Sequence, residues 1–593
     1  MLLSRLPWML ILLTAAALVL PSVLLDAAEQ DRSPVDLVLL QDGALLATAN
    51  QTSHTVSLVR TRDGQVLDEA SVGQHPQSIL LHPDGKRLFV SAGHAGRIDV
   101  LEVVGDRLVP QASLPAVGEP HGMAITTDGK LLYVALTALD QVLEIDLATG
   151  KERRRIDVGR WPRHLAITPD GKRMAVTASG DRGMAIVDLV EGELAWLDRF
   201  VALNLGHVVM SNDGKFAYYP WMVYRANAIT AGNIRLGWVL ASRIARSRLD
   251  KQERREAISL DPRGEAIADP HGIALTSDED RIVCSASGSQ ELLVYQLPGL
   301  PFESVGGPDH IDPALQADKD RFFRIPLPGR PLGLRIAPDN NLVYVANYLR
   351  NSVQQIDLQR REVTAEFDLG GPPTPSLARQ GEAIFYDGKR SLDQWYSCHS
   401  CHYEGGGNAV AMDTLNDGSS RTFKTVLPLY NVTRTAPWTW HGWQTDLDDA
   451  LHRSLTTTML GPEPQNNDLA ALRAYFETLT PPPNPLALQD SAEVTAGRDL
   501  FFGAKAACST CHSGDLYTDG KNHDVGLGSS GDRYKTFNTP SLLGVFRKSA
   551  LLHDGRARSL EQVLEGPHAP ENVRGEVLSE DERHALIEFL KTL

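Results

Sequence analysis

The stretch that decides the fold of the larger part of this chain is residues 126–158, TTDGKLLYVALTALDQVLEIDLATGKERRRIDV. It opens on the turn Asp128-Gly129, runs into an apolar strand at 130–136, then a second at 142–147, and after Ala148-Thr149-Gly150 enters a further one. Asp-Gly supplies the positive-φ positions that tight hairpins need, and alternating apolar side chains give each strand one buried face. The same turn or a close variant recurs at Asp84-Gly85, Asp170-Gly171, Asp213-Gly214, Asp278 and Asp339, roughly 40–45 residues apart. Four short strands per repeat of that length is the arithmetic of a β-propeller blade. Counting units over residues 35–371 predicts seven blades. The longer connections near 229–261 and 298–320 read as loops projecting from blades five and six, where a propeller's binding surface is often elaborated.

With 593 residues the chain exceeds what one hydrophobic core can organise. Hydrophobic residues at 42% and charged residues at 22% exclude a disordered chain and a polytopic membrane protein. A net charge of -16 without a long basic run excludes a nucleic-acid surface. The densest basic stretch, Arg243, Arg246, Arg248, Lys251, Arg254 and Arg255, is broken by Asp250 and Glu253 and reads as a solvated loop or helix face. The chain begins with Arg5, a mostly apolar run at 6–25, and Asp26-Ala27-Ala28-Glu29, the pattern of an export signal. The apolar run is long for a cleaved signal and Asp26 disfavours cleavage after Ala28, whereas Pro21 disfavours a spanning helix. Two readings therefore stand: a signal peptide over residues 1–28, or an inner-membrane anchor through 6–25. Both place the remainder in the periplasm.

Four of the five cysteines fall in two C-x-x-C-H pentads, Cys398-His399-Ser400-Cys401-His402 and Cys508-Ser509-Thr510-Cys511-His512. Two thioether sulfurs reach the two vinyl groups of a haem when they stand about one helical turn apart, and the histidine that follows then lies under the iron. A zinc site needs two further soft ligands, and neither domain has another cysteine. The pentads therefore predict two covalently held haem c groups, with Cys398, Cys401, Cys508 and Cys511 as attachment points and His402 and His512 as proximal ligands. The fifth cysteine, Cys284, lies in a strand-like setting and reads as an inert buried thiol.

Beyond the linker at 370–375 the pattern becomes helical and predicts two mainly α cytochrome c-type domains, 376–483 and 490–593, joined at Pro481-Pro482-Pro483. They are copies of one another. Gly381 to Phe385 parallels Gly497 to Phe501, Phe423-Lys424-Thr425 parallels Phe537-Asn538-Thr539, Trp440-His441-Gly442 parallels His553-Asp554-Gly555, and Ala471-Leu472 parallels Ala585-Leu586.

The propeller repeat carries a further pattern. His121 and His271 stand seven residues before the turn aspartate, and His164 and His207 six before, at the entry to the innermost strand. Imidazoles gathered at one channel mouth, with His75 as a fifth, would hold copper or another transition metal. The two registers differ by one residue, however, and a period of two sends adjacent positions to opposite faces, so hydrogen-bonded structural histidines are the competing reading.

The segments Leu342-Val343-Tyr344-Val345-Ala346-Asn347 and Leu132-Tyr133-Val134-Ala135 resemble the repeats of YVTN-type propellers, a likeness that speaks to architecture rather than activity. Residues 375–593 resemble the bacterial di-haem cytochrome c peroxidase and MauG family, most closely at Phe537-Asn538-Thr539-Pro540-Ser541-Leu542, Leu552-His553-Asp554-Gly555-Arg556 and Ser559-Leu560-Glu561. The resemblance implies an oxidoreductase in which the first haem meets peroxide or another oxidant, the second relays electrons, and a tryptophan matched by Trp440 lies between them. It also implies calcium between the haem domains, for which no ligands can be named, and a periplasmic electron donor or acceptor as partner. Two departures bear on the chemistry, because axial ligation decides it. The family's methionine on the second haem has no counterpart after Met459, leaving His568 as substitute ahead of Tyr517, Tyr534 and His523. The family's acid near the oxidant has no clean match; Glu463 lies nearest, and Met459 is either a ligand to the first iron or a core residue. Three functions follow: a peroxidase-like enzyme, an electron-transfer module serving a metal or substrate site in the propeller, or a propeller that docks a redox partner protein.

Overall fold

The computed structural model describes residues 30–593; the signal or anchor expected within residues 1–28 lies outside them. Among the described residues no helix is long and apolar enough to cross a membrane. Of seven antiparallel sheets all but the fifth are each built from one contiguous part of the chain, and none is completed by a strand from the chain's other end. They occupy residues 34–71, 76–115, 120–157, 162–199, 202–259, 270–326 and 331–368, the fifth also taking up the short strand Glu303–Ser304. The innermost strands of neighbouring blades pack against one another, and the first meets the last to close the ring. The closure is polar as well as apolar: Asp36, 2% exposed, pairs with Arg335 of blade seven at 3.2 Å.

The turns form for the reason the sequence suggests. Gly85, Gly129, Gly171 and Gly214 all have φ near +70°. In each of these turns the aspartate carboxylate accepts from the backbone N–H two residues on, at 2.8, 3.1, 3.1 and 2.9 Å. Where glycine is missing, Glu279 and Asn340 adopt the left-handed conformation themselves.

Blade five corrects two expectations. Residues 229–261 are not one loop: the projecting part is the short helix Ala231–Arg235, while Leu240–Arg248 and Glu256–Ser259 are strands of the blade. The basic stretch is solvated only in part: Lys251 and Arg254 are exposed, but Arg243 and Arg255 are buried. Arg243 is fully buried 3.6 Å from Asp261 and donates to the Gly306 carbonyl at 2.9 Å and to Ser259 Oγ at 3.0 Å. Arg255 lies over the Phe200 ring at 3.8 Å. Strand alternation turns every second side chain inward, and a buried guanidinium is tolerated once paired and hydrogen-bonded.

The helical part repeats one motif twice. Helix α1 (Leu377–Phe385) packs on α2 (Asp468–Thr478), and α3 (Ala492–Phe502) on α4 (Glu580–Lys591). Ser376, Ser491 and Ser579 cap α1, α3 and α4 by accepting from a first-turn N–H. Each crossing depends on a glycine, since a Cβ on Gly381 would stand 1.9 Å from the Ala471 carbonyl oxygen and one on Gly497 1.9 Å from that of Ala585. The copies also grip each other reciprocally: Thr425 donates its N–H to the His553 carbonyl at 2.6 Å, and Asn538 to that of Trp440 at 2.8 Å.

The propeller and the first helical domain share one core. Met222, Tyr224, Ile229, Ile234 and Leu240 of blade five pack with Phe385, Trp395, Leu451, Leu472 and Phe476. The blade-five loop therefore plugs into the haem domain instead of projecting into solvent.

Candidate functional site

Cys398–Cys401 form a single helical turn, with Ser397 and Ser400 making a capping box, and Cys508–Thr510 form the equivalent 3-10 turn. Behind each turn the histidine is oriented by a carbonyl. His402 Nδ1 donates to the Leu427 oxygen at 3.0 Å and His512 Nδ1 to that of Tyr517 at 3.1 Å, since a carbonyl only accepts. This fixes the tautomer and leaves Nε2 as a lone pair. Burial pushes both imidazoles down to about 4, so both are neutral near pH 7.

Each pentad opens onto a cavity. The first, about 360 Å³, is bordered by Cys401, His402, Met412, Trp438, Gln444 and Leu451. The second, about 250 Å³ and mainly apolar, is bordered by Cys508, Cys511, His512, Leu564 and His568. Two thiols a turn apart, followed by an imidazole whose free nitrogen meets an apolar hollow, fit a covalently held haem. The cavities share a wall containing Trp440, residues 425–428 and residues 538–540. Trp440 is fixed in that wall by its Nε1–H, which donates to the Thr425 carbonyl at 2.8 Å.

The second cavity has an imidazole on either side. The His512 and His568 ring centroids are 6.5 Å apart and the rings nearly perpendicular, at 87°. Two iron–nitrogen bonds of about 2 Å and two ring radii of about 1.1 Å add up to nearly the same span. His568 Nδ1 is buried without a hydrogen-bond partner. Of the weaker candidates, Tyr517 contributes its carbonyl to His512, His523 is tied to Asp519 at 2.8 Å, and Tyr534 packs beside His441.

Two expected residues lie elsewhere. Glu463 is exposed and pairs with His452 at 2.8 Å, so it borders neither cavity. Met459 is buried with Sδ 3.7 Å from Cys398 Sγ, a core position beside the attachment sulfur and away from the hollow that His402 faces. Sequence reading passed over His441, which borders the first cavity. Its Nδ1 donates to the Thr536 carbonyl at 2.9 Å, and its buried Nε2 has no hydrogen-bond partner. Its only sequence signal was its place beside Trp440 in the duplicated motif. In the propeller, His164, His207 and His271 converge, with candidate ligand atoms within 4.8 Å of one another, and the His121 ring lies 4.9 Å from that of His164. His75 instead stacks on His94 at 4.0 Å. Among the described residues this trio is the one group of three or more His, Cys, Asp or Glu side chains so gathered; no carboxylate cluster answers the calcium expectation.

Comparison with known proteins agrees with this arrangement. Residues 491–591 match the family model described as di-haem cytochrome c peroxidase. Hydrazine synthase subunit gamma of Kuenenia stuttgartiensis is 26% identical over 278 residues, covering 37% of this chain and 79% of that protein. Methylamine utilization protein MauG of Methylorubrum extorquens is 26% identical over 297 residues, covering 40% of this chain and 82% of that protein. A solved chain of Kuenenia stuttgartiensis hydrazine synthase superposes with a TM-score of 0.51 at 22% identity, over 55% of this chain and 96% of its own, a likeness of fold. The chain is thus a seven-bladed β-propeller followed by a helical region that matches, over residues 491–591, the di-haem cytochrome c peroxidase family.

Proposed function

We propose that this protein is an exported, periplasmic di-haem c-type cytochrome oxidoreductase of the peroxidase and MauG kind, exchanging electrons with a periplasmic donor or acceptor. The observation that carries the reading is the shared wall: two cavities, each opening from a Cys-x-x-Cys-His turn, meet at Trp440. Haem iron, when bound, supplies one-electron chemistry and a place for peroxide or another oxidant. The chain supplies the rest. His402 and His512 would hold the two groups, each imidazole being set by one carbonyl. His568, across the second cavity from His512, would be a second imidazole donor to the group held there, which would suit that group to relaying electrons. In the first cavity His441 Nε2 makes no hydrogen bond and stands 3.8 Å from the buried Asp532 carboxylate, the position of a proton acceptor for an incoming oxidant. Trp440 places an indole in the wall that both cavities share.

The test is the EPR and electronic spectrum of the oxidised, haem-loaded protein beside His568→Ala. One high-spin and one low-spin ferric signal are expected, the low-spin one turning high-spin in the variant. Two low-spin signals, unchanged in the variant and insensitive to added peroxide, would refute the peroxidase-like reading. The electron-transfer reading has one observation in its favour, the histidine trio under the first haem domain.

A further inference from the structure

The histidines at the propeller mouth belong to neither haem site. They come from the inner edges of blades three to six: His121, His164 and His271 lie on inner strands, just after Pro120, Pro162 and Pro270, and His207 lies in the segment after Gly206 that leads into the short inner strand Val209–Met210. A difference of one residue in register should turn alternate members away from the channel. It does not, because pairing of the inner strand with its neighbour is irregular at that point, between Pro120 and Met123, Pro162 and Leu165, and Pro270 and Ile273. The bulge frees both positions to reach inward. Glycines then let adjacent inner strands close up. A Cβ on Gly122 would meet the Arg163 carbonyl oxygen at 2.4 Å, and one on Gly206 the His271 carbonyl oxygen at 2.1 Å. His207 N–H donates to that same His271 oxygen at 2.9 Å.

The outcome is four imidazoles in one cluster, with ring centroids 4.5 Å apart for His164 and His207, 5.0 Å for His207 and His271, and 5.6 Å for His164 and His271. His164 Nε2 and His121 Nδ1 are buried without a hydrogen-bond partner, which structural histidines would have. Desolvation keeps the rings neutral, holding His121 at about 3 and His164 and His271 well below the usual value. The cluster is roofed by the segment after the first haem pentad. Arg163, next to His164, lies 3.9 Å over the Tyr403 ring, and Glu404, paired with Arg330 at 2.9 Å, brings a carboxylate whose field reaches His121 and His271. That carboxylate offsets the positive charge of Arg163.

We propose that His164, His207 and His271, with His121 as a fourth donor, form a binding site for one late first-row divalent metal ion at the propeller mouth. Three or four neutral imidazoles suit this class, with Cu²⁺ bound ahead of Zn²⁺. Nitrogens around such an ion stand about 3.3 Å apart when each bond is about 2 Å, so modest ring rotations from the present spacing complete the site.

The experiment uses the full haem-loaded chain, stripped with chelator and titrated with Cu²⁺ alone and with Zn²⁺ alone, beside His164→Ala, His271→Ala and His452→Ala as a surface control. Wild type and H452A are expected to bind one ion beyond the two haem irons. The Cu²⁺ EPR spectrum should show three or four coupled nitrogens, and affinity should fall more than about 100-fold in H164A and H271A. Absence of binding in the titration, or binding undiminished in H164A and H271A, overturns the proposal. Should the alanine variants lose their haem spectrum, the nitrogen count in wild type decides, two or fewer being the refuting result.

Discussion

Asp269 holds the first haem turn onto the propeller, and its removal is the most informative perturbation of the junction. Its carboxylate, 4% exposed, accepts from Ser397 Oγ and Ser400 Oγ, both at 2.6 Å, and neither serine has any exposed surface. A hydrogen bond to a charged group contributes about 1.5–3 kcal/mol, so Asp269→Ala, which strands both hydroxyls, should cost about 3–6 kcal/mol. Asp269 also has φ +52°, and alanine there adds about 1 kcal/mol of backbone strain. The triple variant D269A/S397A/S400A separates these contributions. It removes donors together with the acceptor and should recover most of the hydrogen-bond loss but none of the strain. Thermal unfolding followed by haem absorbance and by far-UV circular dichroism gives both numbers. A D269A variant within about 1 kcal/mol of wild type, or a triple variant no better than the single one, would refute the view that this contact seats the haem turn.

Three other outcomes are expected. Trp440→Phe keeps the apolar wall but loses the indole and its bond to Thr425, and should slow electron transfer between the haems at least about tenfold with both haem spectra intact; stopped-flow reduction with unchanged rates removes the relay role. Gly381→Ala and Gly497→Ala each drive a methyl into a carbonyl 1.9 Å away and should each cost about 3 kcal/mol or more, read as loss of the corresponding haem domain in denaturant unfolding. Burial would raise the Glu404 carboxyl, but Arg330, His399 and Arg163 outweigh it and hold the group at about 2. A depressed folded value means its stabilisation is complete above the ordinary value of about 4.5 and is lost as pH falls from there to about 2, so E404Q should flatten the acid limb of the stability curve in that window.

How far the fold was legible follows from where its information is stored. Blade number and turn positions reside in local signals, the Asp-Gly pairs and strand alternation, and the two haem turns are equally local. The duplication of the helical domains was readable because Gly381 and Gly497 have to meet Ala471 and Ala585 in both copies. What sequence did not show is long-range. Asp269 and Ser397 are joined across 128 residues, and nothing local to either announces it. Blade-five residues 229–240 looked like a projecting loop because their apolar side chains are satisfied by Trp395 and Phe385, far along the chain. Arg243 looked solvated because its partner Asp261 and the Gly306 carbonyl lie on other strands and loops. The propeller histidines failed the alternation test because a strand-entry bulge is invisible to a period of two.

These long-range contacts also explain why the propeller and the cytochrome part act as one body. Blade five ends in Met222, Tyr224 and Leu240, side chains that would face water if the first haem domain were absent. Burying each contributes about 1.5–3 kcal/mol, so the haem domain and that blade stabilise each other through one core. The second haem domain has its own core and adds polar fasteners to blades three and four: Trp161 donates to the Arg547 carbonyl at 2.6 Å, Arg160 to that of Phe546 at 3.0 Å, and Arg547 pairs with Glu119. A rigid base under both copies fixes the shared wall at Trp440, because neither haem domain can tilt without breaking contacts to the propeller. The face of the ring that carries this load is also the face where the inner strands begin, so the residues closest to the haem turns are the histidine-bearing strand entries rather than the outer loops. From His164 the sequence passes to Arg163, across its stacking contact to Tyr403, and along one peptide bond to His402. The propeller mouth and the first haem turn are therefore neighbours by construction, and a change at either is felt at the other through that contact.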